Sequence, residues 1–143
     1  MRYAAGCMTE TAEQVWLQSF VRDNKGMAGT VHRRSGPDEL ALAAAVNIPP
    51  PVQAIVNIVP RGKGMAGLAF DRNEPISTCN IQTDVSGQVR PGAKAVNAQA
   101  AVALPVHDAK GSVRAIVGIA FRDEKTLTEA ELAALARAAA SLP

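Results

Sequence analysis

Aromatic residues are scarce in this sequence: one Trp, one Tyr and three Phe in 143 residues, or 3%. Without interleaved rings there is no stacking platform for single-stranded bases. Cysteine is rarer still, and the two present, Cys7 and Cys79, cannot build a disulfide framework. A reducing cytoplasm is therefore the expected setting. No apolar run approaches the roughly 18 residues a membrane span needs, so no membrane partner is expected. Charge of one sign is also missing. Fifteen Lys and Arg face thirteen Asp and Glu for a net +2, and Arg33, Arg61, Arg72, Arg90 and Arg114 are dispersed rather than clustered. That distribution argues against nucleic acid as a partner. The two histidines, His32 and His107, lie far apart, without C-x-x-C or H-x-x-x-H spacing, so no metal site is expected. Each falls inside an alternating segment and reads as an ordinary strand-surface residue.

What the chain has in quantity is small apolar residues: 48% is hydrophobic and 27 positions are alanine. A chain this long makes one domain that buries about two-thirds of its unfolded surface. Ala4-Ala5-Gly6-Cys7 imitates a lipoprotein cleavage site, but only Met1, Arg2 and Tyr3 precede it, too few for the hydrophobic region such a signal requires. Met8 is an alternative start to Met1. Residues 1–8 are accordingly expected to be a disordered or start-site tail, and 9–143 a single domain.

Thr11 with Gln14 forms a capping-box start, and Ala12, Val15, Trp16, Ser19 and Phe20 share one helical face, which predicts a helix over 12–22. Ser35-Gly36-Pro37-Asp38 separates two apolar-rich arms, 30–34 and 39–46, as a hairpin would. After Pro49-Pro50-Pro51, the residues Val52, Ile55, Val56 and Val59 fall at helical spacing, although 55–59 also reads as a strand. A helical turn is expected at 65–71 and a short strand at 75–78. From 80 to 98 there is no sustained periodicity, and a loop of that length is uncommon in a compact domain unless it binds something. Strands follow at 101–107 and 113–121 around Asp108-Ala109-Lys110-Gly111, and Thr128 with Glu131 opens a terminal helix carrying Leu132, Leu135, Ala136, Ala139 and Leu142 on one stripe. This order predicts an α+β fold with one mostly antiparallel sheet.

Gly62-Lys63-Gly64-Met65-Ala66-Gly67 matches G-x-G-x-x-G, but Pro60-Arg61 interrupts the strand that a dinucleotide fingerprint requires. The alternative is a tight turn whose glycines permit positive φ and close helix packing. Cys79, at the mouth of the long loop, would be a nucleophile or redox sensor if a nearby base or cation lowered its pKa; otherwise it packs as a small apolar residue. Within the loop, Arg90 and Lys94 suit a carboxylate or phosphate, and Asp84 an amine or hydroxyl.

Taken together, GKGMAGLAFDRNEPISTCNIQTD, AAVALPVHDAKGSVRAIVGIAF and TEAELAALARAAASL resemble a GAF domain over residues 9–142. The resemblance implies a GAF/PAS-like central antiparallel sheet flanked by N- and C-terminal helices, and it favours helix over 51–59. It further implies a stand-alone sensory module that takes a small molecule under the 80–98 loop and signals through a homodimer of the terminal helices or through a partner. Residues matching the family's pocket segments are Cys79, Asn80, Thr83 and Asp84, with Arg90 and Lys94 further along. No particular cofactor follows, because the N-K-x-x-x-F/Y-x-x-x-D/E motif of cyclic-nucleotide-binding members is missing. One internal cysteine is also fewer than the free-methionine-sulfoxide reductase branch uses. Two alternatives stand beside the sensor: a thiol-based redox enzyme acting through Cys79, and a dimerisation module without a ligand.

Overall fold

The structure, a computed structural model, describes residues 10–79 and 98–143. Its elements run α1 (Ala12–Asp23), β1 (Ala28–Gly36), β2 (Glu39–Val46), α2 (Pro50–Ile55), β3 (Ile58–Pro60), α3 (Gly64–Arg72), β4 (Ile76–Thr78), β5 (Ala100–His107), β6 (Val113–Phe121) and α4 (Glu129–Ala139). The six strands form one antiparallel sheet in the order β3-β2-β1-β6-β5-β4. The α+β expectation is met, with both terminal helices where their capping signals place them. Thr11 Oγ1 accepts from the Gln14 N–H, and at α4 the Thr128–Glu131 box is reciprocal. Each cap satisfies helix-end donors that would otherwise lack partners.

Strand parity divides the molecule into layers. On one face Val31, Val102, Leu104, Val106, Val117, Ile119 and Phe121 meet Leu17, Phe20 and Val21 of α1 and Leu135, Ala139 and Leu142 of the C-terminal segment. Leu17 and Leu104 are fully buried; side chains of this kind each stabilise the fold by about 1.5–3 kcal/mol. Close approach depends on Gly29, where a Cβ would lie 2.7 Å from Val21 Cγ2. Trp16 stacks on Phe20 with ring centroids 4.8 Å apart, and its Nε1 donates to Ser141 Oγ at 2.9 Å, joining the first helix to the C-terminal segment. On the other face α3 packs Ala69 and Phe70 against Leu40, Val59, Ile76, Ala103 and Ile116, while Val52 of α2 packs with Ala28.

The helix expected over 51–59 is shorter than its periodicity suggests. It ends at Ile55, and Ile58–Pro60 pairs with β2 as an edge strand, Val59 opposite Leu40. The open backbone edge of β2 decides the outcome: Asn57 O accepts from the Leu42 N–H at 2.8 Å, and Val59 is buried against Leu40. A continued helix would leave those strand groups without protein partners.

Candidate functional site: a cavity over a floor of small residues

The sheet face beneath α2 and α3 is paved with small side chains. Ala28, Ala120 and Ala101 are cross-strand neighbours in one row over β1, β6 and β5, and Thr30, Gly118 and Ala103 form the adjacent row. On the opposite parity the same strands carry Val31, Val102, Leu104, Val117 and Ile119. A sheet face of methyl groups and hydrogens lies too low for the helices above to fill the space. A cavity of about 160 Å³ results. Its roof and walls are Ile48, Val52 and Val56 around α2, Val59 of β3, and Lys63, Gly64, Met65 and Ala66 at the start of α3. Thr30, Ala101, Gly118 and Ala120 sit mid-sheet yet remain only half-buried, because they face this cavity.

The third row is closed by larger groups, His32 opposite Ile116 and Ile116 opposite Pro105. His32 is 3% exposed, unlike the surface histidine the alternating pattern predicts. Its side follows from alternation along β1, since the β1–β6 ladder runs without a break from Ala28 through Thr30 to His32. The ring lines the cavity, and its Nε2 lies 2.8 Å from Val56 O just beyond α2. A carbonyl can only accept, so Nε2 carries the proton and donates; in the neutral ring Nδ1 is then an acceptor. His107, at the end of β5, is exposed, with Nε2 beside Asn73 Oδ1.

The glycine motif builds the turn into α3. Gly62 and Gly64 have φ of +82° and +67°, the left-handed region that L side chains rarely adopt. Gly67 has a different role. A Cβ there would lie 2.5 Å from Pro60 O, so the missing side chain lets α3 sit against the end of β3. Lys63 precedes α3 and lines the cavity, but its side chain is exposed, as expected for an ammonium that keeps its water.

Of the residues read from the sequence as site candidates, Cys79 is exposed, just beyond β4, and is not part of the cavity lining. Asn80, Thr83, Asp84, Arg90 and Lys94 lie outside the described residues. Apart from the Gly62–Gly67 turn, none of the lining residues is a ligand candidate in the sequence. The signal that would have found them is size sorted by strand parity: alanine, glycine and threonine at 28, 30, 101, 103, 118 and 120. Among the described residues no three His, Cys, Asp or Glu side chains are grouped to hold a metal ion, and no helix is long and apolar enough to cross a membrane.

A six-stranded antiparallel sheet with terminal helices on one face and a cavity under short helices on the other defines the α+β architecture of this chain. No protein-family model and no curated protein matches the chain. Solved structures do. A type II free methionine-R-sulfoxide reductase from Thermoplasma acidophilum superposes with a TM-score of 0.73 at 17% identity, covering 93% of this chain and 90% of that one. The GAF domain of an Acinetobacter phosphoenolpyruvate-protein phosphotransferase gives 0.71 at 14% identity over 94% and 81%. The nlh2 GAF domain of A. aeolicus gives 0.65 at 17% identity over 93% and 80%. The chain has the GAF fold.

Proposed function

We propose that this domain is a sensory module whose small-molecule ligand enters the cavity between the sheet and the α2–α3 layer. The carrying observation is the paving of that sheet face with six small residues in two adjacent cross-strand rows, which opens a cavity of about 160 Å³. Close packing is the rule in protein interiors, and sizeable well-formed apolar cavities with a few polar groups are where ligands bind. Occupancy would favour the arrangement in which α2 and α3 close over the sheet, and the signal would leave through a homodimer of the terminal helices or through a partner. Val15, 51% exposed on α1, supplies apolar surface for such a contact. Native mass spectrometry of freshly purified protein tests the reading, since it reports bound small molecules and subunit number together. A co-purifying small molecule, or a metabolite fraction that raises the melting temperature, supports it; an empty chain that no fraction stabilises counts against it.

A second reading is favoured by the shared fold of the Thermoplasma reductase and by the exposure of Cys79. In it the Cys79 thiolate attacks a sulfoxide sulfur, a proton is taken up, and the oxygen passes to the thiol, leaving a sulfide and a sulfenic acid. Two equivalents of an external thiol then return Cys79 to the thiol, forming a disulfide and water. Turnover of free methionine sulfoxide with a thiol reductant, abolished by Cys79→Ser in a folded protein, would establish this activity. Failure of native Cys79 to react with alkylating reagents would sink it.

A further inference from the structure

We infer that the ligand of this cavity is compact, uncharged and predominantly apolar, on the scale of a substituted benzene or an indole. The inference rests on the sensory reading of the same cavity and adds the chemical class of what fills it. Size sets the first limit. An engineered apolar cavity of about 150 Å³ accepts benzene, and the cavity here is about 160 Å³. A ligand of about six to ten non-hydrogen atoms fits that space.

Polarity sets the second limit. Among the described lining residues the polar side chains are Thr30, His32 and Lys63. His32 spends its Nε2 proton on Val56 O, and Lys63 is exposed. The remaining side chains are Ala, Val, Ile and Met, with glycine between them. An ionised group placed against such walls would lose its hydration without a matching partner, a cost that ordinarily forces neutralisation or exclusion. Met65, at the start of α3, adds an unbranched thioether able to adapt to rings or branched chains.

The shape of the floor sets the third. Ala101 and Ala120 are directly paired across β5 and β6, and both are half-buried toward the cavity. A larger side chain at either position would occupy the space assigned to the ligand. These two alanines are therefore the specificity-determining positions of the floor.

The experiment uses the full chain with indole and toluene as apolar probes and inorganic phosphate and cyclic AMP as charged ones, measured by calorimetry and thermal shift on the parent and on Ala101→Leu and Ala120→Leu. Indole or toluene should bind and raise the melting temperature. Each leucine variant should weaken that binding by about tenfold or more, while melting at or above the parent because the cavity is filled. Should a leucine variant fail to fold, Ala120→Val carries the same test. A charged probe that binds, is blocked by the leucine variants and outcompetes indole overturns the apolar class while leaving the cavity as the site. If no probe binds, and any small molecule that co-purifies stays bound in both leucine variants, the cavity reading falls as well.

Discussion

The imidazole of His32 donates from Nε2 to the carbonyl of Val56 at 2.8 Å, tying the middle of β1 to the residue just past the end of α2. Helix α2 is six residues long with no side-chain cap at its N-terminus, so intrinsic helix stability does not hold it in place. The tether, the burial of Val52 and the bond from Leu42 N–H to Asn57 O position it over the cavity. His32→Ala is expected to cost about 1–3 kcal/mol through loss of a buried ring and of its hydrogen bond to a half-buried carbonyl. His107→Ala, at an exposed ring, should cost much less. Urea denaturation measures both, and hydrogen exchange should show the α2 amides opening sooner in His32→Ala.

Two glycines predict unequal responses to the same substitution. At Gly67 an added Cβ meets Pro60 O at 2.5 Å and Gly62 N at 3.2 Å, both backbone atoms that move only if the turn moves. At Gly118 the nearest atom is Thr30 Oγ1 at 2.8 Å, the end of a side chain that can rotate. Gly67→Ala should therefore destabilise by about 1–3 kcal/mol or more. Gly118→Ala should do less to stability and reduce the room in the cavity. Thermal melts and probe binding on the two variants check the ordering.

Glu13 on α1 and Arg33 on β1 pair at 2.6 Å, with side chains 21% and 35% exposed. The hydrogen bond from Arg33, supported by a backbone hydrogen bond at Glu13, holds this carboxyl below its ordinary value of 4.5. A folded-state value below the unfolded one contributes stability that is fully present above the unfolded value and is lost as pH falls through the folded value. Glu13→Gln should cost up to about 1 kcal/mol at neutral pH, given the partial exposure of the pair. It should also flatten the fall in stability as pH drops below the ordinary carboxylate value, measured by chemical denaturation across acidic pH.

The capping box at α4 is reciprocal: Thr128 Oγ1 accepts from Glu131 N–H at 3.1 Å, and Glu131 Oε1 accepts from Thr128 N–H at 3.0 Å. Thr128→Ala should cost about 1 kcal/mol, and Thr128→Ser should recover most of it. Equilibrium unfolding of the pair decides the point.

The sequence was most legible where chemistry is local. Thr11 and Thr128 mark helix starts because a hydroxyl at that position bonds the next turn, and the β5–β6 hairpin follows from two strongly apolar runs around Asp108, whose Oδ1 accepts from the N–H groups of Lys110 and Ser112. It was least legible where a distant partner decides. Residues 55–59 satisfy helical and extended patterns alike, and from Ile58 onward the free edge of β2 selects the strand. The burial of His32 depends on the segment around Val56, 24 residues later in the chain, which closes over that face of β1. The cavity was hidden because alanine and leucine both count as apolar in a periodicity reading, whereas their volumes separate a filled face from an open one.

Alternation along β1 has a further consequence. Ala28, Thr30 and His32 turn their side chains to the cavity, while Val31 and Arg33 meet α1 or the C-terminal segment, so cavity-facing side chains are one peptide bond from ones that touch the opposite layer. Trp16, the single tryptophan, sits in that opposite layer with its indole N–H on Ser141. The chain thus carries its own optical probe, separated by the thickness of the sheet from the space a ligand would fill. A change in its emission when the cavity is loaded would report strain crossing the sheet rather than direct contact with the guest.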